Sequence, residues 1–241
     1  MKKIFKRAAA TALVIGLVAG GMNYSTSTAE AISLGGVGKI IGVGGGGGAD
    51  MTSANEKMVE TFSYSTALLK AAYDNVQMAT NDSIANKELI TQEQAAKSAV
   101  KSTDGGIKMK NGAEQNKQEA DNAKKYLADA LASGDEEKLK KIDAFIKTAN
   151  DQRLVSDVMA HVAYTQAGLI IAQNAKNVAS GNLQGLGDMV DTAKQVQDLL
   201  KVRNELSTLL KTATEEYRKA RGIKDPSKKE QKAAADKIEK G

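Results

Sequence analysis

The chain has no cysteine and no tryptophan, and it contains a single histidine and a single proline. Without cysteine it cannot form disulfide bonds, thiolate metal sites or a cysteine nucleophile, and it cannot be processed as a lipoprotein. The lone histidine, His161, excludes a metal site built from several histidines of one chain. We therefore expect neither a bound metal ion nor a cofactor.

The first 31 residues have the pattern of a bacterial secretory signal peptide. Basic side chains at positions 2, 3, 6 and 7 precede a short apolar stretch, Ala8–Gly21, and Ala29-Glu30-Ala31 supplies a small-x-small cleavage site. The apolar stretch is shorter than a typical membrane-spanning helix, so a retained membrane anchor is the less favoured alternative. We expect an exported protein that is periplasmic or secreted.

The formal net charge of +5 is unevenly distributed. The leader contributes +3, residues 32–217 sum to −3, and residues 218–241 carry nine basic side chains against four acidic ones. The basic tail contains no aromatic residue that could stack on a base, and export removes the protein from genomic targets, so we expect no nucleic-acid partner. A solvated tail is favoured, and a weak contact with anionic lipid or cell-wall polymer is the alternative.

Beyond residue 50 the sequence is typical of helices. Alanine, lysine, glutamate, glutamine and leucine dominate, Pro226 is the one proline, and no stretch alternates apolar and polar residues as a strand does. The sequence predicts an all-α fold, an elongated antiparallel helical bundle or coiled coil over residues 51–222. A glycine-rich arm or linker, residues 32–50, precedes it, and a basic lysine-rich tail, residues 223–241, follows.

Start and stop signals divide this body into five helical segments. The first begins at Ser53, which forms a capping box with Glu56, and keeps a seven-residue apolar repeat as far as Ala79. At Asn81-Asp82 the repeat shifts by one residue, so the helix either overwinds or gives way to a new one. The remaining segments are expected at residues 113–132, 136–149, 151–179 and from about 188 to Gly222. Residues 227–241 are expected to form a frayed or partner-dependent helix.

The last of the five segments has the clearest repeat, which runs Val196, Leu199, Arg203, Leu206, Leu210, Ala213 and Tyr217. Such a repeat predicts a helix-helix seam, in which Arg203, Leu206 and Leu210 are candidate interaction residues. A charge at a seam position costs stability, but it can fix the register or the partner. The favoured interpretation is that the aliphatic part of Arg203 covers the seam while its guanidinium reaches solvent.

The segment from Ile32 to Gly48 contains nine glycines and several aliphatic residues. As a helix it would lose roughly 7–9 kcal/mol relative to alanine, which argues against a membrane-spanning helix, as does Lys39 inside the segment. The five consecutive glycines at its end predict a flexible tether. Ile40, Ile41 and Val43 are candidate interaction residues of a docking arm, because a solvated linker does not need them. Plain coil and membrane insertion are the alternatives.

Other polar residues give little sign of catalysis. His161 lies one helical turn after Asp157, which could accept a hydrogen bond from the imidazole, but no G-x-S-x-G motif supplies a serine nucleophile. The acidic clusters at 135–137 and 215–216 fit solvated helix surfaces. Neither an EF-hand loop nor an H-E-x-x-H motif is present. We therefore expect no enzymatic activity and assign no catalytic residue.

These observations predict an exported, non-enzymatic α-helical binding or scaffold protein of the cell envelope or extracellular space. It would associate with a protein partner or with itself through coiled-coil-type helix contacts. The alternative is a membrane-active helical protein that uses residues 32–49. An exported, cysteine-free helical body with one apolar glycine-rich segment resembles the helical pore-forming toxins in architecture. In those proteins the apolar segment is usually longer and lies between helices, and no sequence motif is shared.

Cleavage of the leader is directly testable. We expect signal peptidase to cut after Ala31, because small residues at positions 29 and 31 have the required spacing. Intact-mass spectrometry of the protein recovered from the envelope or medium should therefore show Ile32 as the first residue. A chain that still begins at Met1 in either fraction would contradict the assignment of the leader.

Overall fold

A computed structural model describes the chain over residues 51–99, 113–179 and 185–240. About 87% of this part is helical and it contains no strand, so the predicted all-α fold class is confirmed. The leader and the glycine-rich segment, with Ile40, Ile41 and Val43, lie outside the described residues.

Six α-helices and one 3-10 helix lie in these ranges. They are α1 (Met51–Ala79), the 3-10 helix Ile84–Asn86, α2 (Gln92–Lys97), α3 (Ala113–Ser133), α4 (Glu136–Ala179), α5 (Gly185–Arg221) and α6 (Lys228–Lys240). The chain divides into two compact units. Of the described residues, one unit comprises 51–58, 162–179 and 185–197, and the other, called the main unit below, comprises 59–99, 113–161 and 198–240.

The predicted break between residues 149 and 151 is wrong, because α4 runs without interruption from Glu136 to Ala179. Asn150 is a residue that often starts a helix. Here its side chain is buried and donates to Asp225, so that it serves a tertiary contact instead of a cap. Asp151 accepts from Lys147 one turn earlier on the same helix.

At Asn81-Asp82 the structure selects the second of the two alternatives, since α1 ends at Ala79 and a new element follows. Residues 87–91 have no helical structure, and α2 then begins at Gln92. Thr91 caps α2 through a capping box with Gln94. The shifted apolar repeat therefore does not mark one continuous helix.

Two glycines end helices in the left-handed conformation. Gly134 follows α3 with φ of +67°, and Gly222 follows α5 with φ of +66°. After Gly222 the N–H of Ile223 donates to the carbonyl of Arg218 at 2.9 Å, which closes the last turn of α5. Both glycines were predicted helix ends, and both are confirmed.

The larger core of the main unit draws on α1, α3, α4 and α5. Each helix contributes apolar side chains from one face, as the seven-residue repeats in α1 and α5 predict. Its bulky members include Leu69, Leu127, Ile142, Ile146, Leu206 and Leu210. The seam that contains Leu206 and Leu210 is therefore closed within the chain.

A smaller core lies on another face of α1. Leu68 and Ala71 of α1 pack with Val155 and Met159 of α4, and α2 and α6 add one buried alanine each, Ala95 and Ala235. The sequence predicted a frayed or partner-dependent helix in the tail, whereas α6 packs on its own chain. Its start is fixed by a capping box, in which the N–H of Ser227 donates to Glu230 at 2.7 Å and the N–H of Glu230 donates back to the Ser227 hydroxyl at 3.3 Å.

Substitution of glycine by alanine should change stability in opposite directions at two positions. An added Cβ meets no atom within 4 Å at Gly222 or at Gly168, so only the backbone distinguishes them. At Gly222 the positive φ makes alanine destabilising by about 1 kcal/mol. At Gly168, inside α4, alanine should stabilise by about 0.5–1 kcal/mol.

Urea unfolding monitored by circular dichroism measures both changes. The two variants are matched controls for each other because they carry the same chemical change. Equal effects of the same sign would contradict the assigned conformation of Gly222.

Candidate functional site

Arg203 lies in the seam of α5, but its guanidinium is directed into the main unit. The residue is 5% exposed. Its Nε donates to the hydroxyl of Ser65 on α1 at 3.0 Å, and its Nη2 donates to the hydroxyl of Ser156 on α4 at 3.2 Å and to the carboxylate of Asp157. The interpretation that the guanidinium reaches solvent is therefore wrong. A fourth partner is Asn204, the next residue on α5, which accepts from Nη1 at 2.9 Å. The alternative, that the charge fixes a register, matches this geometry.

Asp157 is the counter-ion of this site. It accepts from Arg203, from Arg153 Nη1 at 3.1 Å and from the Ser207 hydroxyl at 3.0 Å. Its side chain remains 25% exposed, so solvent also reaches it. Asp157 therefore joins α4 to α5. A carboxylate that paired only with a residue one turn away on its own helix would not connect two helices.

Two serines bring α1 and α4 close together beside Arg203. The Ser65 hydroxyl donates to the carbonyl of Ser156 at 2.9 Å, and the Ser156 hydroxyl donates to the carbonyl of Ser65 at 2.5 Å. Both residues are fully buried. Larger side chains would hold the backbones apart, so the small hydroxyls both allow the approach and satisfy each other.

A second set of charges lies at the start of the connection from α5 to α6. Arg218 Nη1 and Asn150 Nδ2 both donate to Asp225 Oδ1, at 2.5 and 2.9 Å. Arg153 joins this set to the first, because its Nη2 donates to Asn150 Oδ1 at 3.2 Å. Burial lowers the pKa of Arg153. Burial alone would raise the pKa of Asp225, but Asn150 and Arg218 together lower it.

Arg221 forms a third set near the end of α5. Its guanidinium binds Asp143 at 2.9 Å and Glu136 at 3.1 Å, both on α4. The hydroxyl of Tyr217 donates to Asp143 at 2.8 Å. Burial raises the pKa of Tyr217 most, and this hydrogen bond raises it further. The arginines of the described residues are Arg153, Arg203, Arg218 and Arg221, and each forms an ion pair within the main unit.

Asn75 and Gln152 form a separate polar site, which we call the amide clamp. Both side chains are fully buried. The Asn75 amide donates to the Ile90 carbonyl at 2.9 Å and accepts from the Ile90 N–H at 3.0 Å. Gln152 donates to the same carbonyl at 2.7 Å and accepts from Asn75 at 2.9 Å. The clamp therefore fixes an extended main-chain segment against α1 and α4.

The other polar residues singled out in the sequence are His161 and the two acidic clusters. His161 is half-buried, and burial lowers the pKa of its imidazole. In the acidic clusters, Glu136 binds Arg221, while Glu215 and Glu216 bind Lys219 and Lys124. Across the described ranges, no group of three or more histidine, cysteine, aspartate or glutamate residues is placed to hold a metal ion.

Sequence reasoning missed the amide clamp, the role of Arg153 and the partner serine, Ser156. The sequence of α1 contains a signal for the clamp. Leu68 belongs to one apolar stripe of this helix, and Leu69 belongs to another. Two adjacent stripes indicate a helix buried on two faces, and a polar residue such as Asn75 on the second stripe must then be hydrogen-bonded.

One stretch of α4 has the length and composition of a membrane-spanning helix. Within the described ranges, the stretch Glu136–Ala172 is the one helical stretch long and apolar enough to cross a bilayer. Of its most apolar part, 61% is buried inside the protein. Core helices of water-soluble proteins have the same composition, so this stretch does not indicate a membrane segment.

Comparison with protein-family models, with curated proteins and with solved structures finds no significant match to this chain.

Removal of the Arg203 charge should destabilise the protein far more than removal of a surface charge. Loss of one partner from a buried ion pair costs about 3–5 kcal/mol, and since Asp157 keeps Arg153 and some solvent, we expect about 2–3 kcal/mol for Arg203→Met. The matched control is Lys201→Met on the exposed face of the same helix, which should change stability by less than about 0.5 kcal/mol.

Chemical denaturation of both variants measures the difference. A double-mutant cycle with Asp157→Asn should show coupling, because the aspartate loses less once Arg203 is gone. If Arg203→Met behaved like the surface control, the buried position of the guanidinium would be contradicted.

Proposed function

We propose that the mature chain is an exported, non-enzymatic α-helical binding or scaffold protein of the cell envelope or extracellular space. In this proposal residues 51–222 form an elongated antiparallel bundle, and residues 32–49 form a docking arm that carries Ile40, Ile41 and Val43. The partner is a protein or a second copy of the chain, which binds through helix contacts.

The observation that carries the proposal is the shallow packing of α2 and α6. Each buries one residue, Ala95 in α2 and Ala235 in α6. The floor beneath them includes the buried apolar side chains Leu68, Val155 and Met159. Many helical binding proteins hold a partner helix with its apolar face in a groove of this kind.

The ionic contact between these two helices is also weak. Lys237 Nζ binds Glu93 Oε1 at 2.8 Å, but the two side chains are 77% and 71% exposed. Water and salt screen such a pair, so it adds little to the attachment of α6. The outer helices are therefore the part of the main unit that a competing partner segment displaces most easily.

The polar contacts in the interior also support a non-enzymatic scaffold. The charged and hydroxyl side chains that a catalytic site would use, such as Arg203, Asp157 and Ser156, bind each other and connect helices. Groups used in this way position the scaffold. The exposed face of α6 carries Lys228, Lys229, Lys232 and Lys240, which also suit a weak contact with anionic lipid or cell-wall polymer.

The test compares the mature protein with a variant that lacks residues 32–49. We expect the deletion to leave far-UV helicity and the thermal midpoint nearly unchanged, because α1 extends from Met51 and lies outside the deleted residues. The predicted start of this helix at Ser53 is wrong, since Ser53 lies within α1. Self-association in sedimentation experiments, or recovery of partners by affinity purification from the native organism, should weaken. A matched control keeps the glycines and replaces Ile40, Ile41 and Val43 with serine, and it should weaken association equally.

Dye release from anionic vesicles separates this function from the membrane-active alternative. The proposal predicts no release by the mature protein. Release that disappears on deletion of residues 32–49 would favour the membrane-active protein. Collapse of the helical fold on deletion would contradict both and place these residues in a core.

A further inference from the structure

Asn75 binds both main-chain groups of Ile90, the N–H and the C=O, as the opposite residue of an antiparallel β-strand would. A side-chain amide presents a carbonyl oxygen and an NH2 group in one plane, so it can accept and donate on the same side. Asn75 uses the oxygen to accept from the Ile90 N–H at 3.0 Å and the nitrogen to donate to the Ile90 carbonyl at 2.9 Å. This two-point contact with an extended main chain is the contact that strand-adding peptides make with their receptors.

Gln152 completes the site from the opposite helix. It donates to the Ile90 carbonyl at 2.7 Å and orients Asn75 by accepting from its nitrogen at 2.9 Å. All of these bonds are made to the main chain of residue 90, so they do not depend on its side chain. Selectivity comes from the neighbours, since Leu89 packs against the larger core and Ile90 against the smaller one.

The segment that occupies the clamp is held weakly on either side of it. We call residues 84–99 the strap. Its buried residues are Ile84 and Ala95, while residues 85–88 and Thr91 are exposed. Between the two buried residues, Leu89 and Ile90 are the side chains that pack on the cores. The hydrogen bonds at Ile90 therefore carry much of the attachment of the strap.

The clamp also determines what can replace the strap. If the strap leaves, Asn75 and Gln152 lose three hydrogen bonds to Ile90 at positions that are now fully buried. An apolar helix cannot restore these bonds, and an unpaired buried amide is costly. An extended peptide restores all three.

We propose that the amide clamp is a binding site for an extended peptide segment of a protein partner, which the strap occupies in the free protein. The segment carries two consecutive aliphatic residues, like Leu89-Ile90, in an extended main chain. This inference rests on the proposed function as a binding protein and names the chemistry that its partner presents. The strap acts as an intramolecular competitor, and the partner binds when it displaces the strap.

The test measures binding of a free copy of the strap. The probe is a fluorescein-labelled synthetic peptide of residues 84–99, and the readout is fluorescence anisotropy with the full mature protein. A tethered segment has an effective concentration on the order of millimolar, so the wild-type protein should bind the probe weakly. The variant Ile90→Pro lacks the N–H that Asn75 accepts from, which loosens its own strap while the residue can remain extended.

We expect Ile90→Pro to bind the probe at least about tenfold more tightly than wild type does, which corresponds to about 1.4 kcal/mol. A probe methylated on the amide nitrogen of Ile90 is the matched control. It has the same sequence and lacks only the N–H, so it should lose this gain. Adding Asn75→Leu to Ile90→Pro should abolish binding of either probe.

Circular dichroism and thermal unfolding establish that each variant is folded. If Ile90→Pro fails to fold, the pair Leu89→Ala and Ile90→Ala loosens the strap through its side chains and keeps the N–H. A folded, loosened variant that does not bind the probe, or that binds the methylated probe equally well, overturns the inference. Recovery of a protein partner together with that result would leave the proposed function standing and remove only the peptide site.

Discussion

A buried guanidinium constrains the main unit more than any apolar contact does. Arg203 is out of water, and its charge is tolerable only while Asp157 and the two serines remain within hydrogen-bond distance. These groups belong to three helices, α1, α4 and α5. Leucines and alanines in a seam can slide or repack at small cost, whereas a directional ion pair cannot. The relative positions of the three helices therefore depend on this contact, although most of the free energy of burial comes from the apolar side chains around it.

The division of basic residues between interior and surface follows from the same requirement. The four arginines of the described residues form ion pairs within the main unit, while the lysines of α6 lie on its exposed face. A guanidinium is planar, less strongly hydrated than an ammonium group, and able to bind several acceptors at once, so it suits a buried site. The charge of the tail consequently overstates how basic its surface is, since Arg218 and Arg221 are neutralised within the fold.

Periodicity predicts the faces of the helices well, because apolar burial depends on the local sequence. The seams of α1 and α5, the ends at Gly134 and Gly222 and the all-α class follow from such local signals. The direction of Arg203 and the continuity of α4 do not, because a charged seam residue or an Asn-Asp pair has the same local pattern whether its partner is water or a distant helix. The local sequence at Asn150 predicts a helix start, but its buried side chain donates a hydrogen bond to Asp225. Ile90, which the amide clamp binds, lies 15 residues after Asn75 in the sequence. Helical periodicity relates residues three or four apart, so it does not predict this contact.

The two faces of α1 give the main unit two layers of different strength. On one face the apolar side chains of four helices interlock, and opening that core exposes large aliphatic groups from every helix. On the other face the cover consists of the strap and α6, which contribute few buried side chains. Water cannot take the place of that cover without leaving an apolar floor and two amides exposed. In the proposal for the amide clamp, the outer layer therefore opens only when another chain arrives to occupy the site.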